Sequence, residues 1–227
     1  REIARLLQTF DRVATGTTEL MLVSGFSGIG KSALVQEIHK PILERRGYFV
    51  AGKYNQLGRA QPYSAIIQCF QELVRQILTE EPDTVAAWRE QLIGALHPFG
   101  QVVVDVIPEV ADIVGPQPLL RELPPYESQN RFNAVFLKFV HVFMRADHPL
   151  VIFLDDLQWA DTASLNLLHL LLTDPNTGYL FLLGAYRSNE VSAGHPLAAI
   201  LTRLEQQQAP IHTVTLDALE PAHVAAL

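Results

Sequence analysis

Two kinds of hydrophobic pattern alternate along this chain. Continuous apolar runs are typical of strands buried on both faces, and they predict five strands at residues 20–23, 48–53, 150–154, 179–186 and 211–216. Apolar positions spaced three and four residues apart, which are typical of amphipathic helices, separate these runs. Because strands that alternate with helices build parallel sheets, the pattern predicts an α/β protein.

Helical spacing extends over most of the chain between the strands, and prolines limit it in two regions. Helical spacing covers the segment after the first strand and residues 3–13, 63–78, 85–96, 128–146, 165–172 and 196–206, and it begins again at 221–227. Pro41 lacks a backbone N–H donor, so the helix after the first strand should stop or kink near His39. Residues 56–127 lack strand signals and end in a proline-rich stretch, which predicts a mostly helical insertion between strands 2 and 3 with an irregular end.

The loop after the first strand carries the most specific motif. Residues 25–32 read Gly-Phe-Ser-Gly-Ile-Gly-Lys-Ser and match G-x-x-x-x-G-K-[ST], with a strand before them and a helix after them. The three glycines let backbone amides approach a polyphosphate. Lys31 would place its charge on the β- and γ-phosphates, and the Ser32 hydroxyl suits Mg²⁺, which prefers oxygen ligands. The motif therefore predicts a nucleoside triphosphate site.

Two other interpretations of this loop stay open. One is a glycine-rich turn that binds nothing. The other rests on Gly28, Gly30 and Ala33, which also satisfy the dinucleotide pattern G-x-G-x-x-G/A. That site normally has an acidic residue at the end of the next strand, whereas this strand ends in Lys53, a residue that would suit a 2′-phosphate.

Two carboxylates stand at the end of the third strand. Asp155 and Asp156 follow a buried run, at the edge where open α/β sheets bind ligands. Adjacent carboxylates there repel each other unless a cation or a water-filled site stabilises them, and a metal-bound phosphate would supply that cation. Asp161 is expected to cap the next helix. Arg187 ends the fourth strand, so it should face the same crevice, and the Asp pair favours a triphosphate over a dinucleotide.

Composition argues against several classes of function. Apolar residues at 48% and charged residues at 18% describe a globular chain with a core, and a net charge of -7 argues against a broad nucleic-acid-binding face. No apolar run approaches the length of a bilayer span. The lone Cys69 cannot form an internal disulfide, fits a cytoplasmic location and is interpreted as a packing residue. Nucleophile-elbow, zinc-binding and protein kinase signatures are absent.

The loop, the Asp-Asp strand end and the arginine after the fourth strand together resemble the AAA-related signalling ATPases of the STAND class. The resemblance covers nearly the whole chain and is specific at residues 25–32 and 150–161, where the second motif reads Asp-Asp-Leu-Gln-Trp-Ala-Asp. The chain is most similar to the "predicted ATPase" module that lies between serine/threonine kinase and sensor histidine kinase domains in large bacterial, notably cyanobacterial, signalling proteins.

The resemblance implies a P-loop NTPase fold, a three-layer α/β/α sandwich whose five parallel strands have the order 5-1-4-3-2. It implies ATP and Mg²⁺ as ligands. Asp155 would hold Mg²⁺ through water, Asp156 would orient or deprotonate the attacking water, and Arg187 would sense the γ-phosphate. The loop residues expected to contact the nucleotide are Gly25, Ser27, Gly28, Ile29, Gly30, Lys31, Ser32 and Ala33.

The resemblance also implies a role and an organisation. We expect residues 1–227 to be an ATPase domain, cut from a longer polypeptide, that lacks the family's lid and winged-helix regions; Arg1 and Glu2 resemble the end of an adenine-side Gly-Arg-Glu motif. We expect an ATP-binding, slowly hydrolysing signalling switch whose partners are kinase or sensor domains of the same polypeptide. Nucleotide-dependent self-association is considered as well, and no nucleic acid or membrane partner is expected.

Two alternatives to the function of an ATP-dependent switch stay open. The first is a non-hydrolysing scaffold that binds nucleotide for structure and offers the helical insertion as its partner surface. The second, more remote, is an NADP-binding oxidoreductase domain, which follows from the dinucleotide interpretation of the loop.

Overall fold

A parallel sheet organises the chain. The computed structural model describes residues 2–44, 46–56 and 62–216. Within these residues the sheet has five strands, which are β1 (Thr18–Gly25), β2 (Tyr48–Lys53), β3 (Leu150–Asp155), β4 (Leu180–Tyr186) and β5 (Ile211–Leu216). Neighbouring strands pair in parallel in the order β2-β3-β4-β1-β5. This is the expected order 5-1-4-3-2 counted from the other edge, so the predicted P-loop NTPase fold class is confirmed.

The register of the sheet brings its carboxyl ends together. Lys53 at the end of β2 pairs with Asp155 at the end of β3. Strand β4 lies between β3 and β1, and Ser24 of β1 pairs with Tyr186 of β4. The loop after β1, the Asp pair after β3 and the arginine after β4 therefore meet at one edge of the sheet.

Helices lie mostly where the apolar spacing predicts them, and two short helices that it did not predict lie in the proline-rich stretch between residues 98 and 125. They are α1 (Glu2–Val13), α2 (Lys31–Gln36), α3 (His39–Glu44), α4 (Ser64–Leu78), α5 (Pro82–Leu96), α6 (Gln101–Val104), α7 (Val110–Val114), α8 (Pro125–Phe143), α9 (Thr162–Thr173) and α10 (Pro196–Gln206). The predicted interruption near His39 is confirmed, because α2 ends at Gln36 and a separate helix begins at His39. Pro41 occupies the first turn of α3, where a missing N–H donor costs no helical hydrogen bond.

Successive residues of the buried strands point to opposite faces, so the sheet has a core on each side. Val151 and Phe153 of β3 pack with apolar residues of α1, α2 and α3. Leu150, Ile152 and Leu154 of the same strand pack with α4, α8, α9 and α10. Helices on both faces explain why β3 reads as one continuous apolar run.

The segment between β2 and β3 is built on a cluster of aromatic rings. Phe136, Phe139 and Phe143 recur along α8 and lie against Phe70 of α4, with ring centroids 5.3 to 6.0 Å apart. Trp88 of α5 contacts Phe143 at 5.5 Å. The aromatic spacing of α8 therefore serves packing, as the sequence indicates.

Helix α8 differs from its predicted bounds at both ends. It begins at Pro125 rather than at residue 128, because proline at the first helical position has its φ already set for a helix. It ends at Phe143 rather than at residue 146, because Met144 adopts an extended backbone.

The helix predicted at 221–227 lies outside the described residues. None of the helices within the described ranges has both the length and the hydrophobicity needed to cross a bilayer.

Candidate active site

The backbone of the loop after β1 surrounds the side chain of Lys31, the lysine of the same motif. Gly28 and Gly30 have φ angles of 77° and 98°, in the left-handed region that glycine adopts without strain. Lys31 begins α2, and its ammonium donates hydrogen bonds to the carbonyl oxygens of Gly25 and Phe26, at 3.1 and 2.8 Å. Burial lowers the pKa of Lys31, and the nearby carboxylates Asp155 and Asp156 offset part of that effect. The loop thus holds a desolvated cation at the sheet edge.

Ser32 and Asp155 come together at the sheet edge, although β4 lies between β1 and β3. The Ser32 hydroxyl donates a hydrogen bond to Oδ2 of Asp155 at 3.3 Å. The other oxygen of Asp155, Oδ1, accepts the N–H of Asp156 at 2.9 Å. A hydroxyl and a carboxylate facing one cleft are the oxygen donors that Mg²⁺ prefers, so the residues predicted for a metal fit that ion.

Asp156 is held in an uncommon conformation. Its φ is 56°, a left-handed value that is rare outside glycine, asparagine and aspartate, and the residue is 5% exposed. The Gln158 amide donates to Oδ1 at 2.8 Å, and the Lys53 ammonium lies 3.1 Å from Oδ2. Backbone conformations of this kind persist where surrounding contacts hold them, and they concentrate at functional sites.

Arg187 lies at the end of β4 with its guanidinium in the same cleft. One terminal nitrogen, Nη1, donates to Oε1 of Glu190 at 2.7 Å, and Nε lies 3.5 Å from Oδ1 of Asp156. The guanidinium stacks over the ring of Trp159, 4.8 Å from its centroid. The hydrogen bond to Glu190 is the largest cause of the raised pKa of Arg187, to which the Asp pair also contributes.

These groups line one cleft of about 260 Å³. Its walls include six of the eight loop residues expected to contact a nucleotide, which are Ser27, Gly28, Gly30, Lys31, Ser32 and Ala33, together with Lys53, Asp155, Asp156 and Arg187. Gly25 and Ile29 do not line it. Gly25 instead contributes the carbonyl that accepts from Lys31.

Lys53 is a cleft residue that the sequence pattern did not assign to the phosphate site. Its ammonium lies 3.1 Å from Asp156 and 3.5 Å from Asp155. Lys53 and Arg187 therefore supply positive charge beside the Asp pair from within the chain itself, in addition to any charge that a metal-bound phosphate would bring. The pairing follows from the register of β2 against β3, which the strand order alone does not give.

Three further residues contact the cleft residues, and no role was predicted for them from the sequence. Gln158 joins Asp156 to the backbone of Arg187, Glu190 pairs with the Arg187 guanidinium, and Trp159 lies beneath it. A signal for Glu190 exists in the sequence, since it follows Arg187 by three residues in a short turn. By contrast, Asp161 accepts the backbone N–H of Ser164 at 2.8 Å, which confirms its predicted cap.

The family model of the AAA ATPase domain matches residues 1–183 of this chain. The chain belongs to the AAA ATPase domain family. The resemblance drawn from the two strand-end motifs is thereby confirmed at the level of the family. Membership in an ATPase family also favours the phosphate-loop interpretation of residues 25–32 over the dinucleotide one.

Curated relatives of this AAA ATPase domain are histidine kinases. Over 172 residues it is 38% identical to hybrid signal transduction histidine kinase G of Dictyostelium discoideum, an alignment that covers 76% of this chain and 5% of that protein. Over 164 residues it is 22% identical to histidine protein kinase 1 of Candida albicans, covering 66% of this chain and 7% of that protein. Over 98 residues it is 31% identical to the peroxide stress-activated histidine kinase mak3 of Schizosaccharomyces pombe, covering 42% and 4%. The chain thus spans less than a tenth of each of these relatives.

Proposed function

We propose that this AAA ATPase domain binds Mg²⁺-ATP in the cleft and hydrolyses it slowly, as a switch within a multi-domain signalling protein. The observation that carries the proposal is the convergence of Lys31, Ser32, Asp155, Asp156 and Arg187 on one cleft at the carboxyl edge of the sheet. Phosphoryl transfer depends mainly on positioning and charge stabilisation, and two cations beside two carboxylates supply both.

Binding begins at the loop. Lys31 would exchange its two carbonyl partners for phosphate oxygens, and the partial desolvation of its ammonium strengthens that attraction. Ser32 and Asp155 would hold Mg²⁺, whose bound charge neutralises the phosphates. The remaining loop residues proposed to contact the nucleotide are Ser27, Gly28, Gly30 and Ala33, which line the cleft, and Gly25 and Ile29, which do not.

Asp156 and Arg187 are the proposed catalytic residues. Asp156 would orient or deprotonate the attacking water, and Arg187 would contact the γ-phosphate. Both side chains are engaged with local partners, Asp156 with Lys53 and Gln158, and Arg187 with Glu190. Each must leave at least one partner before it can act, and this supports slow rather than fast turnover.

The signalling role rests on the relatives. The curated relatives are named as histidine kinases, and the chain matches a small part of each. We propose that the ATP and ADP states differ at Asp156 and Arg187, and that the difference passes to kinase or sensor domains of the same polypeptide. A cytoplasmic location and nucleotide-dependent self-association belong to the same proposal.

A non-hydrolysing scaffold is the second candidate. The observation in its favour is the same local engagement of Asp156 and Arg187, which would persist after ATP binds if no partner domain released it. In that case the helices between β2 and β3 would offer the partner surface.

Turnover and binding measured together separate the two candidates. Asp156→Asn keeps the size of the side chain and removes its charge, so it should bind Mg²⁺-ATP as the wild type does while phosphate release falls by about 100-fold or more. Asp174→Asn, away from the cleft, serves as the matched control. Wild-type binding without phosphate release would favour the scaffold. Loss of binding in Asp156→Asn would contradict the role given to Asp156.

A further inference from the structure

Gln158 is a buried polar residue between the two proposed catalytic residues. It lies in the 3₁₀ turn Leu157–Trp159, directly after Asp156, and is 1% exposed. Its amide nitrogen donates to Oδ1 of Asp156 at 2.8 Å, and its amide oxygen accepts the backbone N–H of Arg187 at 3.1 Å. One side chain thus uses both of its polar atoms to join the ends of β3 and β4.

The backbone of Gln158 adds a third connection. Its carbonyl oxygen lies 3.1 Å from Nε2 of His195, the residue that caps the N-terminus of α10. A buried side chain with two satisfied hydrogen bonds has little freedom to move, because leaving either partner unpaired costs the desolvation of that partner. The turn therefore ties Asp156 to the frame made by β4 and α10.

The Gln158 amide contacts Asp156 at the point where this carboxylate faces Arg187. Asp156 has a left-handed φ of 56°, and its Oδ1 accepts from Gln158 while lying 3.5 Å from Nε of Arg187. The Arg187 backbone is anchored by the same glutamine. One amide thus links the Asp156 carboxylate to the backbone of Arg187.

We propose that Gln158 is a positioning residue that sets Asp156 and Arg187 relative to each other for the chemical step. This inference rests on the proposed ATP hydrolysis and deepens it. Gln158 is absent from the residues that line the cleft, so its effect would pass through its two partners. Misplacement of a catalytic group by about 1 Å can cost on the order of 100-fold in rate.

The two functions of the amide can be separated by substitution. Gln158→Met keeps the approximate shape of the side chain and removes both hydrogen bonds. Gln158→Glu keeps the acceptor for the Arg187 N–H, removes the donor to Asp156 and places a second carboxylate beside Oδ1 of Asp156, which repels it. Gln207→Met is the matched control, because it removes an amide hydrogen bond to His169 away from the cleft.

The experiment measures Mg²⁺-ATP binding, kcat, KM and thermal stability for the wild type and the three variants. We expect both Gln158 variants to bind within about threefold of wild type while kcat falls about 10- to 100-fold with KM little changed. The control should match the wild type. A kcat within about twofold of wild type in both variants would overturn the inference, and so would a parallel fall of binding, kcat and melting temperature, which indicates a general structural role.

A second readout does not depend on turnover. The chain has two tryptophans, so a Trp88→Phe background leaves Trp159, over which the Arg187 guanidinium stacks. We expect Gln158→Met to change the Trp159 fluorescence, because Arg187 loses its backbone anchor, and Gln158→Glu to preserve it. If the wild type does not bind or hydrolyse ATP, the proposed function fails, and an unchanged Trp159 signal in Gln158→Met would separately overturn the positioning role.

Discussion

Replacing Lys53 by Gln should destabilise the fold by about 1 kcal/mol at neutral pH. The Lys53 ammonium lies 3.1 Å from Asp156 and 3.5 Å from Asp155, whose side chains are only 7% and 15% exposed. The lysine side chain itself is 60% exposed, so water screens both ion pairs. Pairs of this kind contribute about 0.2 to 1 kcal/mol each, and the two together give the predicted magnitude.

The pH dependence of this effect follows from the lysine. The hydrogen bond to Asp156 is the largest cause that raises the pKa of Lys53 above its ordinary value of 10.5. A raised pKa in the folded state stabilises the fold below the unfolded pKa, and this stabilisation is lost as the pH rises through the folded pKa. The difference between wild type and variant should therefore persist from about pH 6 to about pH 9 and shrink in strongly alkaline solution.

Urea unfolding measures the predicted difference directly. In thermal unfolding, a loss of about 1 kcal/mol corresponds to a fall of about 2–4 °C in melting temperature for a chain of this length. Lys40→Gln is the matched control, because its ammonium lies 3.9 Å from Glu44 and both side chains are largely exposed, at 87% and 66%. A Lys53→Gln variant as stable as wild type would refute the reasoning, since the Asp pair would then be neutralised without Lys53.

Three further predictions concern residues away from the cleft. Cys69 is fully buried and burial raises the pKa of its thiol, so an alkylating reagent should modify it only after unfolding, and rapid labelling of the folded chain would contradict its packing role. Phe139→Ala removes a fully buried ring and should lower the unfolding free energy by about 3–5 kcal/mol in urea titrations; a loss below about 1 kcal/mol would contradict the packing described for α8. Burial alone would raise the pKa of Glu19, but hydrogen bonds from Arg12 and His212 outweigh it, so the pKa is lowered. Glu19→Gln should therefore cost about 2 kcal/mol at pH 7, and this deficit should close as the pH falls through the lowered pKa of Glu19; a deficit independent of pH would contradict this account.

The sequence predicted the parts of the site that lie in local motifs. The loop at 25–32 and the Asp pair each follow an apolar run, and parallel strands end at one edge of the sheet. Each motif could therefore be placed in the cleft without knowing which strands are neighbours. The Asp161 cap and the helix break before Pro41 were predictable for the same reason, because both depend on residues close in sequence.

The contacts between motifs were not predictable in this way. Lys53 reaches the Asp pair because β2 lies beside β3, and the two strands are about 100 residues apart in the chain. Gln158 reaches the Arg187 backbone because β3 lies beside β4. An apolar run shows that a strand is buried but carries no information about its neighbours. The family resemblance supplied the strand order, but the register and the side-chain contacts across strands came from the three-dimensional structure.

Calorimetric titration with Mg²⁺-ATP tests the central claim most directly. Lys31 is the cation that the loop encloses, so Lys31→Ala should abolish binding, whereas Lys40→Ala, an exposed lysine of the neighbouring helix, should leave it unchanged. Mg²⁺-GTP and NADPH titrated in parallel establish which nucleotide the cleft accepts. We expect the wild type and Lys40→Ala to bind Mg²⁺-ATP and Lys31→Ala to lose this binding. NADPH binding without ATP binding, or ATP binding that survives Lys31→Ala, would contradict it.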